Sequence, residues 1–350
     1  MLINTKLQLV APFEFKEIKE KISTVPENYA VVKPTLLSIC NADLRYYSGQ
    51  RRKEDLKKKL PMCLIHEGVG KIVSSNKFKE SERVVIVPNI PCYILNNDGP
   101  CEICRTVGEN YCPNAKFLSS GFDGFTQSYL VHPESCLVKI PAKVPDEIAV
   151  YGELMSVAHN LITRLNMNPN PKIAIFGDGP IGYIFSLLLS YLRKDSNIYV
   201  VGKYKSKLTK FDFVKTLESD NPLLEEQLKN CDFAFECIGG LKAADAINKG
   251  IRIVKPGGTI VLVGVSEEYV PIDTRNILAK GLILRGTSRS EIKDFVAAMQ
   301  FMKDDHIQSK VTRLTHKIFE CKNVTDLTKI FNAALDKSKY WGKILFRAKF

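Results

Sequence analysis

Nowhere does the sequence sustain an apolar run of the roughly 18 residues that a membrane-spanning helix needs, so no span is expected. The opening stretch, MLINTKLQLV, lacks a basic segment followed by a sustained apolar one. It therefore does not read as an export signal, and the cytoplasm is the expected compartment. Internal repeats and low-complexity segments are absent, which argues against a solenoid or a disordered tail. No basic tract is interleaved with aromatics, so the formal net charge of +12 does not point to a nucleic-acid platform. The same charge suits an enzyme that draws in phosphorylated ligands.

What is present fits a globular chain of two domains: 350 residues, 45% hydrophobic and 25% charged. A chain of this size needs no disulfide staples, so metal ligation or ordinary burial is the expected use of its ten cysteines. Up to about residue 145, short β-branched or aromatic runs broken by Gly and Pro, such as Tyr29 to Val32, Gly68 to Val73 and Arg83 to Val87, predict a β-rich domain with long loops. From Ile173 the rhythm changes to strand, Gly turn, apolar helix from Ile181 to Leu192, and strand from Ile198 to Val201, a βαβ unit. Strands at Phe233 to Cys237, Thr259 to Val263 and Leu282 to Arg285 would continue a parallel sheet to about residue 290. The tail predicts a helix from Val324 to Asp336 and a strand from Lys343 to Arg347 that returns to the first domain. The expected division is 1–145 with 291–350, and 146–290.

Between the first strand and helix of the βαβ unit stands Gly177-Asp178-Gly179-Pro180-Ile181-Gly182, a G-x-G-x-x-G match. Its glycines would permit the tight turn, the close approach of a pyrophosphate and helix-on-strand packing, with the helix N-terminus supplying donors. At the end of the second strand, where an NAD site normally carries a carboxylate, the sequence has Gly202-Lys203-Tyr204-Lys205. Lysines there attract the extra phosphate of NADP, whereas a carboxylate repels it, so NADP is expected. A second cluster, Cys101-x2-Cys104-x7-Cys112, lies on a Gly- and Pro-rich loop and suits a closed, structural zinc site. Its fourth ligand is Cys92 or Asp98, with Cys92 preferred because sulfur is the commoner partner in such sites. A dispersed third group, Cys40, His66, Glu67 and Glu153, has the ligand types of an open zinc site.

Cys40 with Asp43, His66-Glu67 followed by Gly68 and Gly70, the cysteine loop, Glu153, GDGPIG, ECIGG and KPGG stand in the order and approximate spacing of the zinc-containing medium-chain dehydrogenases, which the whole chain resembles. More narrowly, CNADLRYYSGQR, LPMCLIHEGVG, GFDGFTQSYL, GVSEEYVPIDTR and GTSRS are similar to the ribulose-5-phosphate reductases, also called ribitol-5-phosphate dehydrogenases. The resemblance implies an α/β protein: a GroES-like β-rich catalytic domain plus a Rossmann domain with a doubly wound parallel sheet. It implies a catalytic zinc on Cys40, His66 and a carboxylate, Glu67 or Glu153, with Asp43 orienting a ligand. Cofactor contacts would extend to Cys237, Gly239 and Val263. The implied reaction is NADPH-dependent reduction of D-ribulose 5-phosphate to D-ribitol 5-phosphate for CDP-ribitol and wall or capsule polymers, in a dimer or tetramer, with a cytidylyltransferase as a candidate partner.

Two departures stand out. Many relatives carry Ser or Thr where this chain has Ala42, so the proton relay must use water, Glu67, Glu153 or a tyrosine. The loop from Cys92 to Cys101 is also longer than usual. For the substrate phosphate, Arg45 and Arg51 or Arg52, with Tyr46 and Tyr47, lie just beyond the first cysteine, and the arginine fork suits phosphate. The rival readings are a zinc polyol or sugar dehydrogenase acting on an unphosphorylated substrate with NAD, and a non-catalytic zinc-structured nucleic-acid-binding protein.

Overall fold

The computed structural model describes residues 2–96, 98–336 and 339–350. They form two compact units, Met1–Ser156 with Arg289–Phe350, and Val157–Ser288.

In the first unit, a seven-stranded sheet follows the order Leu137–Lys139, Arg83–Ile86, Glu67–Ser74, Tyr29–Ser38, Lys343–Ala348 and Thr315–Cys321, with Leu130–Pro133 also pairing with Tyr29–Ser38. The central strand, YAVVKPTLLS, is β-branched and apolar enough to be buried on both faces, and its register shifts around Pro34, which cannot donate to the ladder. The C-terminal strand lies antiparallel to it, Leu345 opposite Ser38, so the tail belongs to the first unit's sheet. A separate hairpin, Leu2–Ala11 with Glu14–Ile22, carries most of the N-terminal segment.

The second unit is a six-stranded, all-parallel sheet in the order Lys215–Glu218, Asn197–Gly202, Lys172–Phe176, Cys231–Glu236, Val254–Leu262 and Ile283–Gly286. This is the Rossmann order, with the order of strand addition reversing at Lys172–Phe176. The motif glycines open helix Pro180–Leu192, which has Pro at its first position, where a missing N–H costs nothing. On helix Ala243–Ile253, the buried residues Ala243, Ala246, Ile247, Gly250 and Ile251 recur at helical spacing against Ala174, Ala234 and Ile260. The edge strand Lys215–Glu218 was not among the expected strands: KTLE is short, polar and largely exposed, without the apolar alternation that marks a strand.

The single tryptophan, Trp341, stands two residues before the C-terminal strand. Leu345 in that strand is fully buried. Leu345→Ala is expected to cost about 3 kcal/mol. Urea unfolding followed by Trp341 fluorescence would show the midpoint moving down; an unmoved midpoint would mean that the strand contributes little to the first unit.

Candidate active site and metal centres

Cys40 follows the central strand and caps helix Asn41–Tyr47. At the third helical position Asp43 turns back and accepts the Cys40 N–H at 2.9 Å through Oδ2. Its other oxygen, Oδ1, accepts from Ser119 Oγ at 2.7 Å and from the Ile65 N–H at 3.1 Å, and lies 3.4 Å from His66 Nδ1. Asp43 is fully buried. Burial opposes its charge, but the neighbouring His66, Ser119 and the Cys40 N–H outweigh it and hold the carboxyl below the ordinary range. Ile65 has φ +74°, the left-handed region, which for a β-branched residue costs about 1–3 kcal/mol. Its neighbours enforce it: the Phe125 N–H reaches the Ile65 carbonyl at 2.9 Å, and a Cβ on Gly124 would sit 2.4 Å from that oxygen. Sequence analysis passed over Ser119 and Gly124, whose roles depend on contacts with residues far away in the chain.

The Cys40, His66 and Glu67 ligand atoms all lie within 4.8 Å of one another, the spacing of a metal site. A carboxylate against Nδ1 orients the ring so that Nε2 is presented as the ligand. Burial disfavours the imidazolium, yet Asp43 and Cys40 raise His66 well above its usual pKa. Glu67 is fully buried and forms an ion pair with Lys343, itself 6% exposed, which the sequence reading missed. Burial works against the lysine charge, and the Glu67 carboxylate overcomes it. A lysine opening the apolar strand KILFRA was the available signal. Glu153, on helix Gly152–Thr163, falls outside the cluster. Burial pushes its carboxyl up to about 7, with His66 opposing and Glu67 adding to the shift.

The four thiols of the cysteine loop, Cys92, Cys101, Cys104 and Cys112, also gather within 4.8 Å of one another. Zinc–sulfur bonds of about 2.3 Å in a tetrahedron give sulfur–sulfur edges of about 3.8 Å. Here Cys92–Cys104 and Cys101–Cys112 are 3.9 Å apart and Cys101–Cys104 3.5 Å. Cys92 takes the fourth corner, and Asp98 lies outside the group. The Cys104 N–H beside Cys101 pulls that thiol down to about 7, towards the thiolate a metal requires.

In the second unit the expected cofactor residues Gly177, Gly179, Pro180, Ile181, Gly182, Lys203, Lys205, Cys237, Gly239 and Val263 follow the carboxyl ends of strands, where such sheets bind nucleotides. A Cβ on Gly182 would lie 2.1 Å from the Gly177 carbonyl oxygen, so only glycine fits. A carboxylate does reach the end of strand Asn197–Gly202, but it comes from Asp178, whose Oδ2 accepts the N–H groups of Lys203 at 3.0 Å and Tyr204 at 3.3 Å. Lys203 and Lys207 flank the Tyr204 ring, 5.5 and 4.8 Å from its centroid. Glu236, another residue missed from sequence, accepts the Ile238 and Gly239 N–H groups at 2.6 Å each and the Gly264 N–H at 3.1 Å. It ties together the loops that follow two adjacent strands.

The expected phosphate residues divide. Arg45 is half-buried in the last turn of its helix, and Arg51 lies over the Tyr46 ring, 4.6 Å from its centroid. Tyr46 and Tyr47 are core residues instead. The Tyr46 hydroxyl pairs with Ser120 Oγ at 3.2 Å, and that of Tyr47 donates to Asn332 Oδ1 at 2.8 Å. Tyr47 also packs against Phe13, Phe15 and Phe331. Both rings are essentially inaccessible, because the segment after Cys40 is a helix with a buried face and not an open loop.

Fold and clusters together define an oxidoreductase of the zinc-binding, medium-chain kind. Residues 26–142 match the model of the alcohol dehydrogenase GroES-like domain, and residues 212–304 that of the zinc-binding dehydrogenases. Over 352 residues the chain is 38% identical to ribulose-5-phosphate reductase 1 of Staphylococcus aureus, covering 99% of each. It is 37% identical to the ribulose-5-phosphate reductase of Bacillus spizizenii, covering 98% of each. The crystal structure of S. aureus TarJ in complex with NADPH aligns at 35% identity and a TM-score of 0.82, covering 99% of each chain. The chain belongs to the zinc-binding alcohol dehydrogenase family, in the branch of the ribulose-5-phosphate reductases.

Asp43→Asn would place an amide N–H against either the Cys40 N–H or the Ile65 N–H and remove the charge beside His66. Zinc retention at Cys40 and His66 is expected to fall roughly 10- to 100-fold. Release of zinc to a chromogenic chelator measures it, and unchanged retention would mean that Asp43 serves the fold alone.

Proposed function

We propose that this protein is an NADPH-dependent, zinc-assisted reductase that converts D-ribulose 5-phosphate to D-ribitol 5-phosphate, the precursor of CDP-ribitol for wall or capsule polymers. The Cys40–His66–Glu67 cluster oriented by Asp43 carries this reading, standing in a chain whose full-length relatives bear that reductase's name. Bound zinc would supply Lewis acidity at the C2 carbonyl, and bound NADPH the hydride.

Cys40, His66 and Glu67 hold the metal. Lys343 balances the Glu67 charge, so that carboxylate adds no net negative charge where oxyanion character develops. Ala42 offers no hydroxyl, and of the remaining groups Glu153, whose carboxyl burial pushes up to about 7, is the one poised to deliver the proton to the C2 oxygen. Gly177 to Gly182 and the N-terminus of helix Pro180–Leu192 receive the pyrophosphate. Lys203 and Lys205 attract the 2′-phosphate, while the Asp178 carboxylate stays engaged with backbone N–H groups. The four cysteines form a second, structural zinc site, giving one catalytic and one structural ion per chain.

Ten free thiols suit a reducing, cytoplasmic setting, and no helix among the described residues is long and apolar enough to cross a membrane. Assembly into a dimer or tetramer is supported by the edge strand Ile283–Gly286, with Ile283 56% and the nearby Leu278 81% exposed. A cytidylyltransferase would consume the product and is the natural partner to test by co-purification.

NADPH oxidation on adding D-ribulose 5-phosphate, with NADH and unphosphorylated D-ribulose in parallel, tests the reading. Fast turnover only with the phosphorylated ketose and NADPH is expected; equal turnover of both ketoses would return the chain to the wider polyol dehydrogenases. Lys203→Glu should raise KM for NADPH at least about tenfold with little effect on NADH, equivalent to roughly 1.4 kcal/mol. Cys104→Ser should lower zinc content from two ions per chain to one, measured by elemental analysis, and a content still at two would exclude the four-cysteine site.

A further inference from the structure

Arg289 begins the segment that returns to the first unit, and its φ is +60°, a left-handed conformation uncommon for arginine. The residues after it hold it there. Ser290 Oγ lies 2.7 Å from Ser156 Oγ, both buried, and the Glu291 N–H donates to Asp294 Oδ2 at 2.9 Å to start helix Ile292–Phe301. Arg289 therefore stands beside an anchored turn that aims its side chain. Its guanidinium carbon lies 4.7 Å from the centroid of the Phe117 ring. That ring packs against the His66 imidazole, centroids 5.5 Å apart at 54°. One aromatic ring thus separates a guanidinium from an imidazole of the metal cluster.

No carboxylate among the described residues lies within ion-pair distance of Arg289, although the side chain is half-buried. Burial pulls its pKa below the ordinary arginine value, with the Cys112 sulfur acting in the other direction. A partly desolvated cation without a counter-charge is costly unless an anion arrives to pair with it.

We propose that Arg289 binds the 5-phosphate of the substrate, with Phe117 as the platform that orients the guanidinium fork; this rests on the ribulose 5-phosphate reading above. A planar fork matches two phosphate oxygens at once, which the point charge of lysine does not. Arg289 then sets substrate choice, and the reacting carbonyl is positioned by its distance from the phosphate.

The test measures kcat/KM of Arg289→Met and Arg289→Lys on ribulose 5-phosphate and on unphosphorylated D-ribulose at saturating NADPH, with NADPH Kd by fluorescence. A third arm uses inorganic phosphate as an inhibitor of D-ribulose reduction. Arg289→Met is expected to lose on the order of 100-fold more on the phosphorylated ketose than on D-ribulose, mainly through KM, and to weaken phosphate inhibition. Arg289→Lys should lose roughly tenfold, keeping the charge without the fork. Equal losses on both ketoses, undiminished phosphate inhibition, or a loss confined to NADPH affinity would overturn the proposal. Should the Met variant fail to fold, the Lys variant decides by the same comparison. A wild-type enzyme indifferent to the 5-phosphate would instead refute the underlying reductase reading, before any variant is made.

Discussion

Asp43 is the constraint on which the site depends. One buried carboxylate holds the Cys40 backbone, the Ile65 backbone, the Ser119 hydroxyl and the His66 ring at the same time. These groups come from three separate stretches of chain, and Asp43 is the atom set that they share. Ile65 keeps a disfavoured backbone angle because Asp43 takes its N–H on one side while the Gly124 turn occupies the other. Strain at Ile65 is thus converted into a defined direction for the next side chain, His66. A thiolate and an imidazole that sequence separates by two short helices are thereby brought together.

The electrostatics around that hub follow a consistent pattern. Within one small volume the chain buries Asp43, Glu67, Glu153, His66 and Lys343. Buried charges of this number are tolerable only when they offset one another. Asp43 is matched to His66 and Glu67 to Lys343, while Glu153, without a dedicated cation, is the one pushed toward its protonated form. Carboxylates of the same chemistry are therefore pushed toward opposite protonation states by their surroundings. A comparable arrangement appears in the second unit, where Glu236 gathers backbone N–H groups from two loops and has no ion pair among the described residues.

Legibility from sequence tracked the distance over which each demand is felt. The glycines of GDGPIG, the C-x2-C core and the apolar strands of the parallel sheet state local requirements, and each was readable where it stands. The gathering of Cys40, His66 and Glu67 was legible only through resemblance, since a lone cysteine or histidine carries no pattern. Tyr46 and Tyr47 were read as ligand contacts because they follow a metal-binding cysteine; the bond that makes Tyr47 a core residue reaches Asn332, 285 positions away. Lys343 escaped for the same reason, 276 positions from Glu67. Arg289 sits in the family-like GTSRS stretch, but its aim at Phe117 follows from a backbone angle that sequence does not display.

The location of Lys343 in the last strand has a consequence for what each metal cluster requires. The cysteine loop gathers its four thiols from one short stretch of chain, Cys92 to Cys112. The pocket that houses Glu67 instead draws on distant parts of the chain: without Lys343 it lacks its compensating cation, and without the strand Lys343–Ala348 the sheet beside Tyr29–Ser38 lacks a neighbour. The two clusters therefore differ in what they require: the cysteine loop can close locally, whereas the Cys40–His66–Glu67 centre needs the strand of Lys343 in place, and loss of that strand would leave a buried carboxylate without its counter-charge.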